Sequence, residues 1–241
     1  MTQELITKAL YHLQAKTTVR ARFNINLLTH DVEAIMARAY QSLIDERGSI
    51  LKDEDKTRRN IQSVSRWLTN RCGKPFLLIQ GNVGNGKTTM AKCIASTIDA
   101  LRKEAKEIKS RDSWKMDDDE KRMYTLLSEL PEVEMLTARK IVALAGREEE
   151  YKRVERCRLL IIDDLGVEPT TAKVYGTEIT PLVDLLYSRY DSMLPTIITT
   201  NLNDNEIKEL YKERVSDRLT EICDKLIYDA PSYRNNATES K

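Results

Sequence analysis

The sequence has no apolar run approaching the roughly 20 residues that a helix needs to cross a bilayer, so no membrane-spanning helix is expected. Its first residues, Met1-Thr2-Gln3-Glu4-Leu5, lack the basic-then-apolar pattern of a secretory signal, and a cytoplasmic location is expected. The four cysteines (Cys72, Cys93, Cys157 and Cys223) are widely spaced with no CxxC pair, and the two histidines, His12 and His30, lie far from all of them. That spacing argues against a zinc site and for reduced thiols. A dominant charge is also missing: the net charge is +1. Residues 1–75 nevertheless carry thirteen basic against eight acidic side chains, a net +5 that leaves −4 for the rest. A mildly basic front segment suits an approach to nucleic acid but falls short of a strongly basic DNA-binding domain. Glycine is scarce as well, eight in 241 residues, which makes its distribution informative.

What remains is 41% apolar and 32% charged, the make-up of a globular protein with a heavily charged surface, long enough for one α/β domain and a short accessory segment. Three of the eight glycines fall within six residues, in Gly81-Asn82-Val83-Gly84-Asn85-Gly86-Lys87-Thr88. The apolar run Phe76-Leu77-Leu78-Ile79 precedes this loop as a buried strand, and Thr89-Met90-Ala91-Lys92-Cys93-Ile94-Ala95 continues it as a helix. Strand, glycine-rich loop and helix in that order define a phosphate-binding P-loop. Glycine lets the backbone amides turn toward phosphate oxygens, and the helix N-terminus adds partial positive charge there. Lys87 is expected to reach the β- and γ-phosphates and the Thr88 hydroxyl to sit on Mg2+. The alternative is a glycine-rich turn that binds nothing; Lys87 and Thr88 together favour a bound nucleoside triphosphate.

Along the chain, Leu5, Ile6, Ala9, Leu10 and Leu13 recur at helical spacing over residues 3–15. Thr29 is placed to cap a second helix carrying Val32, Ile35, Met36, Ala39, Leu43 and Ile44, with Gly48 just past its end. A third helix holds Ile61, Val64, Trp67 and Leu68. These stripes read first as ordinary core and second as a partner-gripping surface. Residues 102–132 are densely charged and read as an extended helix plus a surface insertion, with Asp117-Asp118-Asp119-Glu120 as a solvated face rather than a metal site. Strands are expected at Val133–Leu136, Arg158–Ile162, Thr196–Thr200 and Lys225–Tyr228, and helices at 139–157, 177–190 and 204–222. The alternation implies a parallel sheet sandwiched by helices.

The run Arg158–Ile162 ends in Asp163-Asp164. A carboxylate at such a strand end holds magnesium opposite the P-loop threonine, the role expected of Asp163. Asp164 either orients or deprotonates the attacking water, or caps the turn into Leu165-Gly166. Asn201, just past the strand Thr196–Thr200, either holds the lytic water or is an ordinary turn residue. Arg214 and Arg218 stand four apart on one helix face, as a surface ion-pair helix or as cations offered to a neighbour's γ-phosphate. Arg234 is equally open in isolation.

The P-loop, Leu160-Ile161-Ile162-Asp163-Asp164-Leu165-Gly166, Ile198-Thr199-Thr200-Asn201, Glu213-Arg214-Val215-Ser216-Asp217-Arg218-Leu219 and Ser232-Tyr233-Arg234 occur in that order. The set resembles the DnaC/IstB branch of the AAA+ ATPases, and within it the DnaC-type replicative helicase loaders. The first two motifs are widespread; the Arg-Val-x-Asp-Arg segment followed by Ser-Tyr-Arg is much more specific. The resemblance implies an α/β AAA+ ATPase domain over residues 56–241, with little or no separate lid, and a helicase-binding helical segment over 1–55. It implies Asn201 as sensor 1, Arg218 as arginine finger supported by Arg214, and Arg234 as sensor 2 at the nucleotide. It further implies ATP and Mg2+ as cofactors, hydrolysis that is slow and assembly-dependent, ATP-driven homo-oligomers in an open spiral, a DnaB-type helicase as partner, and contact with single-stranded DNA. An IstB-like transposition helper acting on a transposase and duplex DNA shares the core. A P-loop kinase would need an acceptor site and would not need Asp163-Asp164 with Asn201, whereas the short Asp164 leaves room for a nucleotide-gated scaffold that barely hydrolyses.

Overall fold

Five apolar runs become one parallel sheet. The structure, a computed structural model, describes residues 24–70, 73–110 and 116–229, so the helix expected over 3–15 and Arg234 lie outside the described residues. The elements in order are α1 (Thr29–Asp45), α2 (Glu54–Thr69), β1 (Phe76–Gly81), α3 (Lys87–Ser110), α4 (Asp118–Ser128), β2 (Val133–Thr137), α5 (Ala138–Ala143), α6 (Glu148–Arg156) and β3 (Leu159–Leu165). They continue with β4 (Ala172–Val174), β5 (Thr177–Ile179), α7 (Pro181–Asp191), β6 (Thr196–Thr200), α8 (Asp204–Tyr211), α9 (Glu213–Ile222) and β7 (Cys223–Tyr228). The sheet order is β2-β3-β6-β1-β7, every pairing parallel.

Because side chains alternate across a strand, the sheet feeds two cores. Leu77, Ile79, Leu159, Ile161 and Ile197 pack with residues of α1, α2 and α3 on one face. Phe76, Leu78, Leu160, Ile162 and Ile198 pack with residues of α5 to α9 on the other. Strands covered on both faces are apolar at nearly every position, hence the unbroken runs in the sequence. Val32, Met36 and Tyr40 of α1 share a core with Met90, Ala91, Cys93 and Ile94 of the P-loop helix, so the stripe on this part of the front segment is core. Burial pushes the Cys93 and Cys223 thiols up to about 12, which leaves them un-ionised at neutral pH.

Several boundaries differ from the sequence reading. Thr29 is the first residue of α1 rather than its cap; Leu28 occupies the cap position and the Thr29 hydroxyl pairs with that of Thr69, 2.9 Å away. The helix expected over 139–157 is two, α5 and α6, separated by a turn around Gly146. The helix expected from 177 starts at Pro181, since the preceding residues form the β4–β5 hairpin, turned by Tyr175 (φ 49°) and Gly176 (φ 84°). The helix expected over 204–222 breaks at Lys212, which takes φ 72° between α8 and α9. β3 runs on through the two aspartates to Leu165, and β7 begins at Cys223. Asp117 accepts from the Glu120 amide while the Glu120 carboxylate takes the Asp117 amide, so the acidic run opens α4 with a capping box.

Candidate nucleotide site

The site forms where β1 ends. Gly81 takes φ 155°, and a Cβ there would lie 2.1 Å from the carbonyl oxygen of Tyr228 at the end of the neighbouring β7, so only glycine fits. Gly84 (φ 84°) and Gly86 (φ 94°) turn the chain back into α3. The Asn85 amide donates to the Tyr228 carbonyl at 2.8 Å, tying the loop to the sheet edge. The buried Lys87 ammonium donates to the carbonyls of Gly81 and Asn82 and to Asn201 Oδ1, each at 2.7 Å, and to Asn85 Oδ1 at 3.2 Å. Asn201 therefore belongs to the P-loop constellation. Its loop is braced by Gln80 Nε2, which donates to the Leu202 carbonyl at 2.7 Å and to Asp204 Oδ1 at 3.2 Å. Lys225 donates to Asp204 Oδ2 at 2.7 Å and holds that carboxyl below its usual range.

Asp163, 6% exposed, completes the constellation from β3. Its Oδ1 accepts from the Thr88 hydroxyl at 3.0 Å and from the Thr199 hydroxyl at 2.6 Å. The Thr199 oxygen in turn accepts from the Asp164 backbone N–H at 2.9 Å, so one side chain of β6 holds the Asp163 carboxylate and the Asp164 main chain. Asp164 takes φ 58° where the β3–β6 register shifts between Ile162 and Leu165. The backbone N–H of Gly166 in the following turn donates to Glu168 Oε2 at 2.9 Å. Glu168 is buried with Tyr211, whose hydroxyl donates to it; burial first, then that bond, pushes the phenol far up. Thr199 had no role in the sequence reading. The signal was there: Thr199 and Thr200 are polar residues in a strand whose every position is buried.

Asn82 and Val83 lie in the loop and Thr89 in the first turn of α3, with Thr89 buried and Val83 exposed. The donor set suits magnesium, since a carboxylate and a hydroxyl are hard oxygen ligands that leave places for water and phosphate. Among the described residues no cluster of three or more His, Cys, Asp or Glu would hold a metal on protein ligands alone.

Arg214 and Arg218 are not brought to this site. The Arg218 guanidinium lies over the rings of Tyr187 (4.3 Å) and Tyr190 (4.6 Å), with Asp191 at 3.8 Å, and Arg214 lies 5.4 Å from the Tyr187 ring. Arg218 shares a small cleft with Phe76, the first residue of β1, whereas Lys87 lies past its last. A six-residue strand spans roughly 20 Å, so the arginines and the P-loop sit toward opposite ends of it.

A five-stranded parallel sheet between helix layers, with a P-loop after β1 and an aspartate on β3, is an α/β fold of the P-loop NTPase kind. Among solved structures, DnaI matches with TM-score 0.50 at 16% identity over 78% of this chain and 89% of that one. The DnaC helicase loader gives 0.49 at 16% identity over 80% and 99%. AMPPCP-bound DnaA from Aquifex aeolicus gives 0.44 at 18% identity over 73% and 48%. No family model and no curated protein matches the chain. At such identity the DnaI likeness speaks for the fold alone, and the fold is the one that the order of motifs implied. Among the described residues no helix is long and apolar enough to cross a membrane.

Proposed function

We propose that the chain is a magnesium-dependent ATPase that loads a ring-shaped DnaB-type replicative helicase onto single-stranded DNA, working in the cytoplasm as an ATP-assembled open spiral of identical copies. One observation carries the ATPase half of the reading: Lys87 and Thr88, adjacent in the P-loop, bond to Asn201 from the end of β6 and to Asp163 from β3 at the carboxyl edge of the sheet. The order of the motifs along the chain supports the helicase half. In this reading Thr88 and Asp163 hold the metal, whose charge offsets that developing on the phosphates. The loop amides and Lys87 bind the triphosphate, Asp164 prepares the attacking water and Asn201 positions it beside the γ-phosphate. Arg218, with Arg214 beside it, lies too far from its own P-loop to serve it and acts on the nucleotide of the adjoining copy, while Arg234 contacts nucleotide within its own chain.

The test is native mass spectrometry of the protein mixed with its host's replicative helicase, with and without ATP, for the intact chain and for a variant lacking residues 1–23. The cut is placed there because Val32, Met36 and Tyr40 are core, and each costs about 2 kcal/mol to expose. An ATP-promoted complex lost in the truncated variant supports loading. A chain that ignores the helicase in both conditions, or binds only a transposase and duplex DNA, refutes it.

A further inference from the structure

The end of α1 is closed by backbone hydrogen bonds in which the N–H of Glu46 donates to the Ser42 carbonyl (2.9 Å), that of Gly48 to Asp45 (2.9 Å) and that of Ser49 to Ile44 (3.1 Å), with Gly48 at φ 59°. This turn fixes Arg47 at the first turn of the P-loop helix, where its Nη1 donates to Thr89 Oγ1 at 2.9 Å. Arg47 is exposed, which screens its charge, yet the local field opposes a cation there rather than favouring it. The amino end of α3 carries the positive end of the helix dipole and amides without helical partners, and the Lys87 ammonium lies in the same turn. Among the described residues no carboxylate comes within ion-pair reach of Arg47. A mere tether between α1 and α3 would not require a charge. The two helices are already joined by a shared core that includes Val32, Met36, Met90 and Ile94, and by Cys93 Sγ at 3.2 Å from the Met36 carbonyl. A second cation beside Lys87 at a helix N-terminus is favourable when a polyanion lies between them.

The geometry points to Arg47 as a phosphate-binding residue of the nucleotide site, gripping the α- and β-phosphates from the side away from the metal. The side follows from two adjacent hydroxyls: Thr88 meets Asp163 on β3, and Thr89 meets Arg47 on α1. The inference rests on the ATP-binding reading above and adds a consequence. Arg47 is carried by the front segment, so nucleotide occupancy is felt there directly.

The experiment titrates fluorescent N-methylanthraniloyl-ATP and -ADP into the full-length wild type, R47Q and R47K, alongside thermal melts without nucleotide. R47Q removes the charge while keeping an uncharged amide donor on a shorter side chain. Its expected behaviour is about tenfold weaker binding of both nucleotides with an unchanged melting temperature, and R47K is expected to fall between it and the wild type. R47Q with wild-type affinity overturns the inference, as does a loss confined to the ATP probe, which would put the guanidinium at the γ-phosphate. A wild type that binds neither probe overturns the ATP-binding reading itself, and is told apart from the other outcomes by that control alone.

Discussion

Thr199 is the residue through which the site is most cleanly perturbed, because its buried hydroxyl holds both the Asp163 carboxylate and the Asp164 main chain. Replacing it with the isosteric valine removes a hydrogen bond to the Asp163 carboxylate at 2.6 Å and the acceptor of the Asp164 amide at 2.9 Å. A hydrogen bond to a charged group contributes about 1.5–3 kcal/mol, and an amide left without an acceptor costs about 1 kcal/mol more. Thr199→Val is therefore expected to lose about 3 kcal/mol of stability, a fall of about 6–12 °C in melting temperature for a domain of this size. The functional effect is separate. With its outer partner gone, Asp163 holds the metal less well, and the Mg2+ needed for half-maximal ATP turnover should rise about 10–100-fold. Thr199→Ser, which keeps the hydroxyl, should lose about 1 kcal/mol with little change in magnesium requirement. The assay is a magnesium titration of ATPase rate at saturating ATP, paired with thermal melts. A valine variant with the wild-type magnesium dependence would refute the claim that Thr199 sets the metal ligand.

Two further outcomes follow from the same contacts. Arg189 is fully buried and donates to Thr196 Oγ1 (2.8 Å) and to the carbonyls of Glu155 (3.0 Å), Cys157 (2.9 Å) and Pro195 (2.7 Å). Arg189→Met strands those acceptors at about 1 kcal/mol each, so a loss of about 3–5 kcal/mol in urea unfolding is expected, and one below about 1 kcal/mol contradicts the accounting. Arg218→Ala should leave ATP binding by the isolated chain intact and cost about 1 kcal/mol of stability through the lost Tyr187 and Tyr190 stacking. Its turnover in the assembled state should fall by about 10³ or more, and an unchanged rate rules out a role at a neighbour's nucleotide.

The centre of the sheet could be read from the sequence because β1 and β3 are buried on both faces and appear as nearly unbroken apolar runs. The P-loop could be read because a backbone that must cradle phosphate admits so few residues. What escaped has local causes. The break at Lys212 adopts a positive φ without glycine or proline, so nothing in the composition marks it. The β4–β5 hairpin is two three-residue strands, too short for a period-two pattern to separate from the helix that follows. Thr29 seemed a cap because its type suits one; the hydroxyl of Thr69, forty residues on, takes it instead. The roles of Thr199 and Arg47 depend on which elements become neighbours. The order β2-β3-β6-β1-β7 puts β6 between the two site-bearing strands, and residue types alone do not declare that order.

The central claim is that one magnesium triphosphate is shared by Lys87 from the P-loop and Asp163 from β3. Calorimetric titration of ATP, with and without Mg2+, into the wild type, Lys87→Ala and Asp163→Asn tests it most directly. The account predicts that magnesium strengthens binding to the wild type, that Lys87→Ala abolishes binding, and that Asp163→Asn still takes ATP but no longer responds to the metal. Undiminished affinity in Lys87→Ala, or a full magnesium response in Asp163→Asn, would contradict it.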